Sequence, residues 1–349
     1  MFTQTRFAAG IIMLTIIAGL IGLTGCDERN EADIPQDVYM HQATYTVGSV
    51  IKFVDADDNH VALAAGALGT QVLDFTNVSN PVLLAEYLNP AGTNSEVTLL
   101  SRQLGIVGTL YDDHLYWGQS SALNYQTGDT VGTLGISSQI VELKLVIADD
   151  QQSFNIWGTD RSEGDGLVGI RYCWDGTAME WNTSNCPFTP PSYDAEPNNS
   201  SIRGFDVKDS VIAIAVNQNG LHFENSRFNT GINDYYTPGL AQDCEWYGDY
   251  LIVADQYFLT IVDAADLMNP VLVTKLIIPN ADRLKNVGID DHYAILLDEY
   301  DGVYVVDISD LANPQLVQEI KLVEPSSLDV DNHRIYVTDE QIGLLVYTR

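Results

Sequence analysis

The alternation of apolar runs and polar turns in residues 291–314 defines a repeating unit. Two short runs rich in Val, Ile, Leu and Tyr, Tyr293–Leu297 and Val303–Val306, are joined by a turn that contains Gly302. Runs of this composition without a polar face are typical of strands that are covered on both sides. The second run ends in Asp307, and Asn313-Pro314 follows six residues later. The pattern predicts a β-hairpin, a turn and a further strand.

The same arrangement of Asp and Asn-Pro occurs twice more. Asp74 precedes Asn80-Pro81, and Asp263 precedes Asn269-Pro270, each after an apolar run. An Asp at a strand end can accept hydrogen bonds from the following backbone N–H groups, and Asn-Pro favours an extended restart. Three copies at one spacing indicate an internal repeat.

A second marker, a polar turn directly before an apolar strand, occurs seven times. The turns are Asp58-Asn59-His60, Asp113-His114, Gln152-Ser153, Asp209-Ser210, Gly248-Asp249, Asp291-His292 and Asn332-His333. Their mean spacing of about 45 residues matches propeller blades and leaves room for four short strands. We therefore predict an all-β fold over residues 38–349, a seven-bladed β-propeller of four-stranded antiparallel blades.

The two ends of this region predict how the ring closes. The last unit, Leu328–Tyr347, has room for only three strands, whereas Tyr39–Val47 is a spare apolar strand ahead of the first unit. We expect the N-terminal strand to complete the last blade, because this leaves no open sheet edge.

The residues Leu259-Thr260-Ile261-Val262-Asp263, with Asn-Pro-Val-Leu-Val downstream, resemble the LVIVD repeat of bacterial and archaeal cell-surface β-propellers. The resemblance is clearest in the first, fifth and sixth predicted blades. It implies a propeller fold and a surface location, and it brings no activity that could be assigned to individual residues.

The first 25 residues have the layout of a secretory signal, with Arg6 ahead of an apolar run. The tetrad Leu23–Cys26 resembles a bacterial lipobox, which implies a lipid on Cys26; an uncleaved membrane anchor is the alternative. Residues 26–37 are acidic and predict a solvated tether, and Asp27 resembles an inner-membrane retention signal. We predict an exported, lipid-anchored protein of the bacterial envelope.

The charge balance excludes nucleic acid as a partner. The chain has 48 acidic and 16 basic side chains and a net charge of −32, whereas nucleic-acid binding requires Lys and Arg. Such acidity indicates a solvated surface or calcium binding. The acidic turns Asp55–Asn59 and Asp329–Asp331 lack the Gly that a calcium loop needs at its sixth position, and four of the six histidines lie in turns of different units. No metal or cofactor is predicted.

The cysteines other than Cys26 predict one disulfide. Cys173 and Cys186 would close a short Pro-rich loop in an oxidising compartment. Cys244 is expected to be a small buried side chain.

Two sets of residues are candidates for binding. Asp255, Asp298 and Asp339 end the second strands of three consecutive blades, with Glu299 and Glu340 beside two of them. They either cap their own hairpins or form an acidic rim at one side of the channel mouth that attracts a cation or a basic partner.

The second set lies in the long segment Cys173–Ser201. It contains Trp174, Trp181, Phe188 and Tyr193 among Pro and Asn residues. Aromatic anchors on a constrained loop are common at interfaces, although the segment could also pack on its own blade.

No catalytic motif is complete. The segment Gly118–Ala122 lacks the final Gly of a nucleophile elbow, and no phosphate-binding Gly loop occurs. The leading interpretation is a binding or scaffolding propeller for a protein or small ligand. The alternatives are a propeller hydrolase or lyase with carboxylates at the mouth, and a calcium-stabilised adhesin.

Overall fold

The computed structural model of the protein divides into two units, Met1–Gln36 and Asp37–Arg349. The structure describes residues 37–89, 92–111, 114–119, 132–135, 140–147, 152–160, 166–176, 180–183, 186, 202–226 and 230–349. The predicted signal, Cys26, and all of the tether except residue 37 lie outside these ranges. Within them, no helix is long and apolar enough to cross a membrane.

The second unit consists of seven four-stranded antiparallel sheets. The N-terminal strand is β1 (Met40–Tyr45). The first blade comprises β2 (Phe53–Asp57), β3 (His60–Ala64), β4 (Thr70–Asp74) and β5 (Val82–Tyr87). The second comprises β6 (Val97–Ser101), β7 (Ile106–Tyr111), β8 (His114–Gln119) and β9 (Gly132–Gly135). The third comprises β10 (Ile140–Ile147), β11 (Ser153–Asp160), β12 (Leu167–Asp175) and β13 (Glu180–Asn182).

The remaining blades follow the same order. The fourth comprises β14 (Gly204–Lys208), β15 (Val211–Ala215), β16 (Leu221–Asn225) and β17 (Gly231–Tyr235). The fifth comprises β18 (Ala241–Tyr247), β19 (Tyr250–Asp255), β20 (Phe258–Asp263) and β21 (Val271–Ile277). The sixth comprises β22 (Leu284–Asp290), β23 (Tyr293–Asp298), β24 (Gly302–Asp307) and β25 (Gln315–Lys321). The seventh comprises β26 (Pro325–Asp331), β27 (Arg334–Asp339), β28 (Gly343–Thr348) and β1.

The blades form a closed ring. The innermost strands contact one another in the order β2, β6, β10, β14, β18, β22 and β26, and β26 contacts β2. The hydrophobic clusters lie between neighbouring blades, for example Ile261 of the fifth blade with Leu296 of the sixth. The middle strands of the fifth and sixth blades are therefore apolar on both faces, as the sequence pattern predicted, and the predicted seven-bladed propeller is confirmed.

The predicted closure by the N-terminal strand is also confirmed. Strand β1 pairs antiparallel with β28, with Met40 opposite Thr348 and Tyr45 opposite Leu344. Just before β1, the backbone N–H and C=O of Tyr39 bond to the side-chain amide of Gln318 on the sixth blade, at 2.9 and 2.8 Å. The seventh blade is thus made from both ends of the described region.

Local turn chemistry explains why the repeat is visible in the sequence. Asp74, Asp263 and Asp307 each accept a hydrogen bond from the backbone N–H two residues on. Gly302 has a φ of 127°, and a Cβ there would lie 2.0 Å from the carbonyl oxygen of Ile320. The turn before β24 therefore requires glycine.

One of the seven polar turns used to count the units was assigned to the wrong strand. His114 begins β8, the third strand of its blade, whereas the turn before the second strand is at 102–105. The other turns use left-handed residues such as Asp58, Asn59, Asp209 and Asp291. In the second blade Gly105 supplies the left-handed residue instead, so a search for polar residues selected the wrong turn.

Candidate functional site

A cavity of about 820 Å³ lies at one mouth of the central channel. It is lined by residues at or near the starts of all seven innermost strands, together with the hairpin turns after β23 and β27. A site built from every blade depends on ring closure, because no single blade contains enough of its wall.

The cavity wall carries both signs of charge. Its basic residues are Lys52, Arg203, Arg283 and Lys285, and its acidic residues are Glu96, Glu142, Glu299, Glu324 and Glu340. Four of the chain's 16 basic residues therefore line this one cavity. The mouth is locally far less acidic than the protein as a whole.

The three aspartates predicted at this mouth do not form its rim. Asp255, Asp298 and Asp339 are fully buried. Asp298 accepts hydrogen bonds from the backbone N–H groups of residues 282, 283, 300 and 301, which lie in two different loops. The expectation of an exposed rim made by these aspartates is wrong: Asp298 and Asp339 cap their own hairpins, and all three bond to the preceding interblade loop.

Asp339 shows the energetic consequence. Its two oxygens accept four backbone N–H groups at 2.8–3.0 Å, two from the loop before β26 and two from the turn after β27. Burial opposes ionisation, but these donors outweigh it and lower the pKa of Asp339. In Asp255, by contrast, burial prevails over its hydrogen bonds and raises the pKa.

The two predicted glutamates do line the cavity. Glu299 forms an ion pair with Arg283, whose guanidinium lies 5.9 Å from the Tyr300 ring centre. Glu340 is on the seventh-blade turn beside Gln341. Of the five predicted acidic residues, the structure thus brings two to the cavity surface.

Deeper in the channel, carboxylates join neighbouring blades. Side chains on five innermost strands, Asp55, Glu142, Asp206, Asp243 and Asp329, each accept a backbone N–H from the next innermost strand, at 2.6–3.2 Å. The acidic turns that faintly resembled calcium loops thus contribute structural hydrogen bonds between blades.

Burial strongly perturbs these channel carboxylates. It raises the pKa of Glu142 to about 8, with the charge of Asp243 adding to the effect, and it raises the pKa of Asp329 to about 6. Lys144 is the one cation among the described residues that line a smaller cavity of about 140 Å³ here, within 3.4 Å of Glu142. Several acids next to one lysine favour carboxyl groups that keep their protons near neutral pH.

The aromatic segment is only partly within the described residues. Cys173 and Cys186 form the predicted disulfide, with Cα atoms 5.4 Å apart, and Cys244 is fully buried as predicted. Trp174 on β12 is opposite Trp181 on β13 in the strand register. Trp174 is partly buried against the core of the second and third blades.

Phe188 and Tyr193 lie outside the described residues. The role of this segment at an interface therefore stays a prediction.

A group of potential metal ligands crosses the boundary between the sixth and seventh blades. Asp290, Asp291 and His333 bring ligand atoms within 4.8 Å of one another. Arg349 occupies the space between them and bonds to both aspartates and to His333, and the hydroxyl of Tyr39 donates to Asp290. The cluster fastens the closure of the ring. A histidine of one blade beside two aspartates of the preceding blade was not predicted from the sequence.

Comparisons with known proteins agree with this architecture. The LVIVD repeat family matches residues 238–276 and 284–321, the fifth and sixth blades. The first blade, where the sequence also predicted a clear copy, lies outside the match. A search of curated protein sequences finds no match.

Solved structures show the same fold at low sequence identity. BamB from Moraxella catarrhalis has a TM-score of 0.56 at 13% identity, covering 87% of this chain and 85% of that one. A chain of the mitotic checkpoint complex has a TM-score of 0.68 at 9% identity, covering 98% and 99%. The WD40 β-propeller domain of Doa1 has a TM-score of 0.65 at 12% identity, covering 89% and 97%. The chain is a β-propeller with LVIVD repeats.

Proposed function

We propose that this protein is a lipid-anchored propeller of the bacterial envelope that binds a protein or small ligand at the channel mouth. The observation that carries the proposal is the cavity of about 820 Å³ with wall residues from all seven blades. Its volume is within the range of roughly 300–1,000 Å³ that is usual for ligand sites. A mixed set of charges can orient a ligand as well as hold it.

The location rests on different features. The tetrad Leu23–Cys26 supports lipidation of Cys26. The Cys173–Cys186 disulfide supports an oxidising compartment. Metabolic labelling with a lipid analogue should label the wild type and not a C26A variant. A wild type that takes up no label, or a C26A variant that is labelled equally, would contradict the lipid anchor.

Affinity capture from envelope extracts tests the binding site. The full-length protein is compared with a K52Q/Q341A variant at the mouth and with a variant shortened in residues 177–200. Q315A, on the exposed edge of the sixth blade, serves as control. Loss of a captured partner or ligand with the mouth variant alone supports the cavity, and loss with the shortened loop alone moves the site to the aromatic segment.

A further inference from the structure

Arg203 differs from the other described arginines because its side chain has no polar partner among the residues that the structure describes. Each of the others has one: Arg102 with Asp58, Arg171 with Ser153, Arg283 with Glu299, Arg334 with Asn59 and Arg349 with Asp290. The Nε atom of Arg203 is buried without an acceptor. Among the described residues no carboxylate forms an ion pair with its guanidinium.

This lack of a partner is unexpected in a chain with 48 acidic side chains. A half-buried guanidinium without acceptors loses solvation and gains nothing in exchange. A nearby carboxylate would have removed this cost. The guanidinium of Arg203 therefore has one buried N–H, at Nε, for which the described residues offer no acceptor.

The surroundings of Arg203 increase the cost. Its backbone is fixed by a 2.9 Å hydrogen bond from its N–H to the carbonyl of Ala215, just before β14. The side chain lines the mouth cavity together with Arg283 of the sixth blade. Burial, and then the positive charge of Arg283, lowers the pKa of Arg203. Two guanidinium groups that share one cavity repel each other unless an anion lies between them.

A second cation of the same cavity lacks a carboxylate partner. Lys52, which precedes β2 in the first blade, lines the wall and forms no ion pair with the described residues. Among the described wall residues, Arg203 and Lys52 thus have no carboxylate partner, just as Glu96, Glu324 and Glu340 have no cationic partner. Glu299 compensates Arg283 only.

We propose that the channel mouth binds a small organic anion through Arg203, with Arg283 as the second cation. The inference rests on the proposed function, in which this cavity is the binding site, and it specifies the ligand chemistry. A guanidinium can donate two parallel hydrogen bonds to a carboxylate or a phosphate. The wall also contains Glu96, Glu299, Glu324 and Glu340, which oppose a dianion more than a monoanion, so the ligand class is a monocarboxylate.

The test uses the purified full-length protein in detergent and two pairs of probes. Benzoate is compared with uncharged benzamide, and gluconate with uncharged glucose, while inorganic phosphate represents the competing anion class. Binding is measured by calorimetry and by the shift of the thermal midpoint. At least one carboxylate should bind in preference to its neutral analogue. R203Q should weaken that binding roughly tenfold or more, which corresponds to about 1.4 kcal/mol, and R203K should restore part of it.

A measurement without ligand separates this role from a structural one. R203Q should have a thermal midpoint equal to or above that of the wild type, because it removes an unsatisfied charge. R102Q, which loses an ion pair outside the cavity, is the matched control and should leave probe binding unchanged.

Any of four results would overturn the inference. The wild type discriminates neither carboxylate from its neutral analogue; phosphate binds more tightly than both carboxylates; R203Q binds the carboxylate as well as the wild type; or R203Q lowers the midpoint more than R102Q.

The capture experiment on envelope extracts is interpreted separately. A partner recovered equally by wild type and R203Q removes Arg203 as the anchor and leaves the proposed function standing. Carboxylate binding through Arg203 without any captured partner supports the anion site and removes the protein partner.

Discussion

Replacing Gln318 with Ala tests how the ring is held closed. Gln318 is 8% exposed and lies on β25, the outermost strand of the sixth blade. Its amide both accepts from the N–H and donates to the C=O of Tyr39. These two bonds connect the sixth blade to the chain just before β1, which completes the seventh.

The expected loss follows from the groups left without partners. The substitution removes two hydrogen bonds and leaves one buried donor and one buried acceptor of the Tyr39 backbone unsatisfied, and each such group costs about 1–3 kcal/mol. Water can enter from the edge of the blade and recover part of this. We expect a loss of about 2–4 kcal/mol in the free energy of unfolding, or a decrease of roughly 3–6 °C in the thermal midpoint of a domain this large.

Calorimetry and amide hydrogen exchange measure the effect. Q318A should increase exchange in residues 40–45 and 343–348 before it affects the inner strands of the fourth and fifth blades, because the closure is then the weakest part. Q315A, an exposed glutamine on the same strand, controls for loss of strand propensity. If Q318A and Q315A have the same midpoint and the same exchange at β1, the connection through Gln318 does not hold the ring closed.

Three further measurements test the stabilising groups. D339N should lose about 2–4 kcal/mol of stability in urea unfolding, because an amide cannot accept from N–H groups on both sides; a loss below that of E340Q would contradict its capping role. Glu142 holds its proton more tightly in the folded state, with a pKa of about 8 against 4.5, so its contribution to stability should fall as pH rises through this window. E142Q should flatten the dependence between pH 5 and 8.5, and an unchanged slope would refute the assignment. Reduction of Cys173–Cys186 should cost about 3 kcal/mol, as for a loop of about 15 residues, and C173S/C186S should show the same loss without reductant.

The features that were predictable from the sequence arise from contacts between near neighbours. Asp263 and Asp307 each bond to the backbone two residues on. Gly302 is needed by the turn that contains it, and the apolar runs of β23 and β24 follow from coverage on both faces. Such contacts repeat with the blade, so the period and the number of blades could be counted although one turn was assigned wrongly.

The character of the candidate site could not be predicted in the same way. Whether Asp298 caps a hairpin or faces solvent depends on a loop that returns to it from the preceding blade. Arg203 and Arg283 are 80 positions apart in the chain, and neither residue lies in a motif. Only the closed ring brings the two residues to one cavity. The scarcity of basic residues was a usable signal, since any Lys or Arg near a predicted strand start was a candidate for the mouth.

The sequence by itself determined a ring of seven antiparallel sheets and the need for a strand from the N-terminal side to complete the last one. Those outcomes depend on the strand pattern, the turn residues and the cost of an open sheet edge. The first two are set by near neighbours in the chain, and the third follows from counting the strands of each unit. Only the tertiary structure decided which carboxylates accept hydrogen bonds from a neighbouring blade and which cations have no partner among the described residues. Burial and the positions of distant charges set the chemistry of a cavity, and both exist only once the ring has closed.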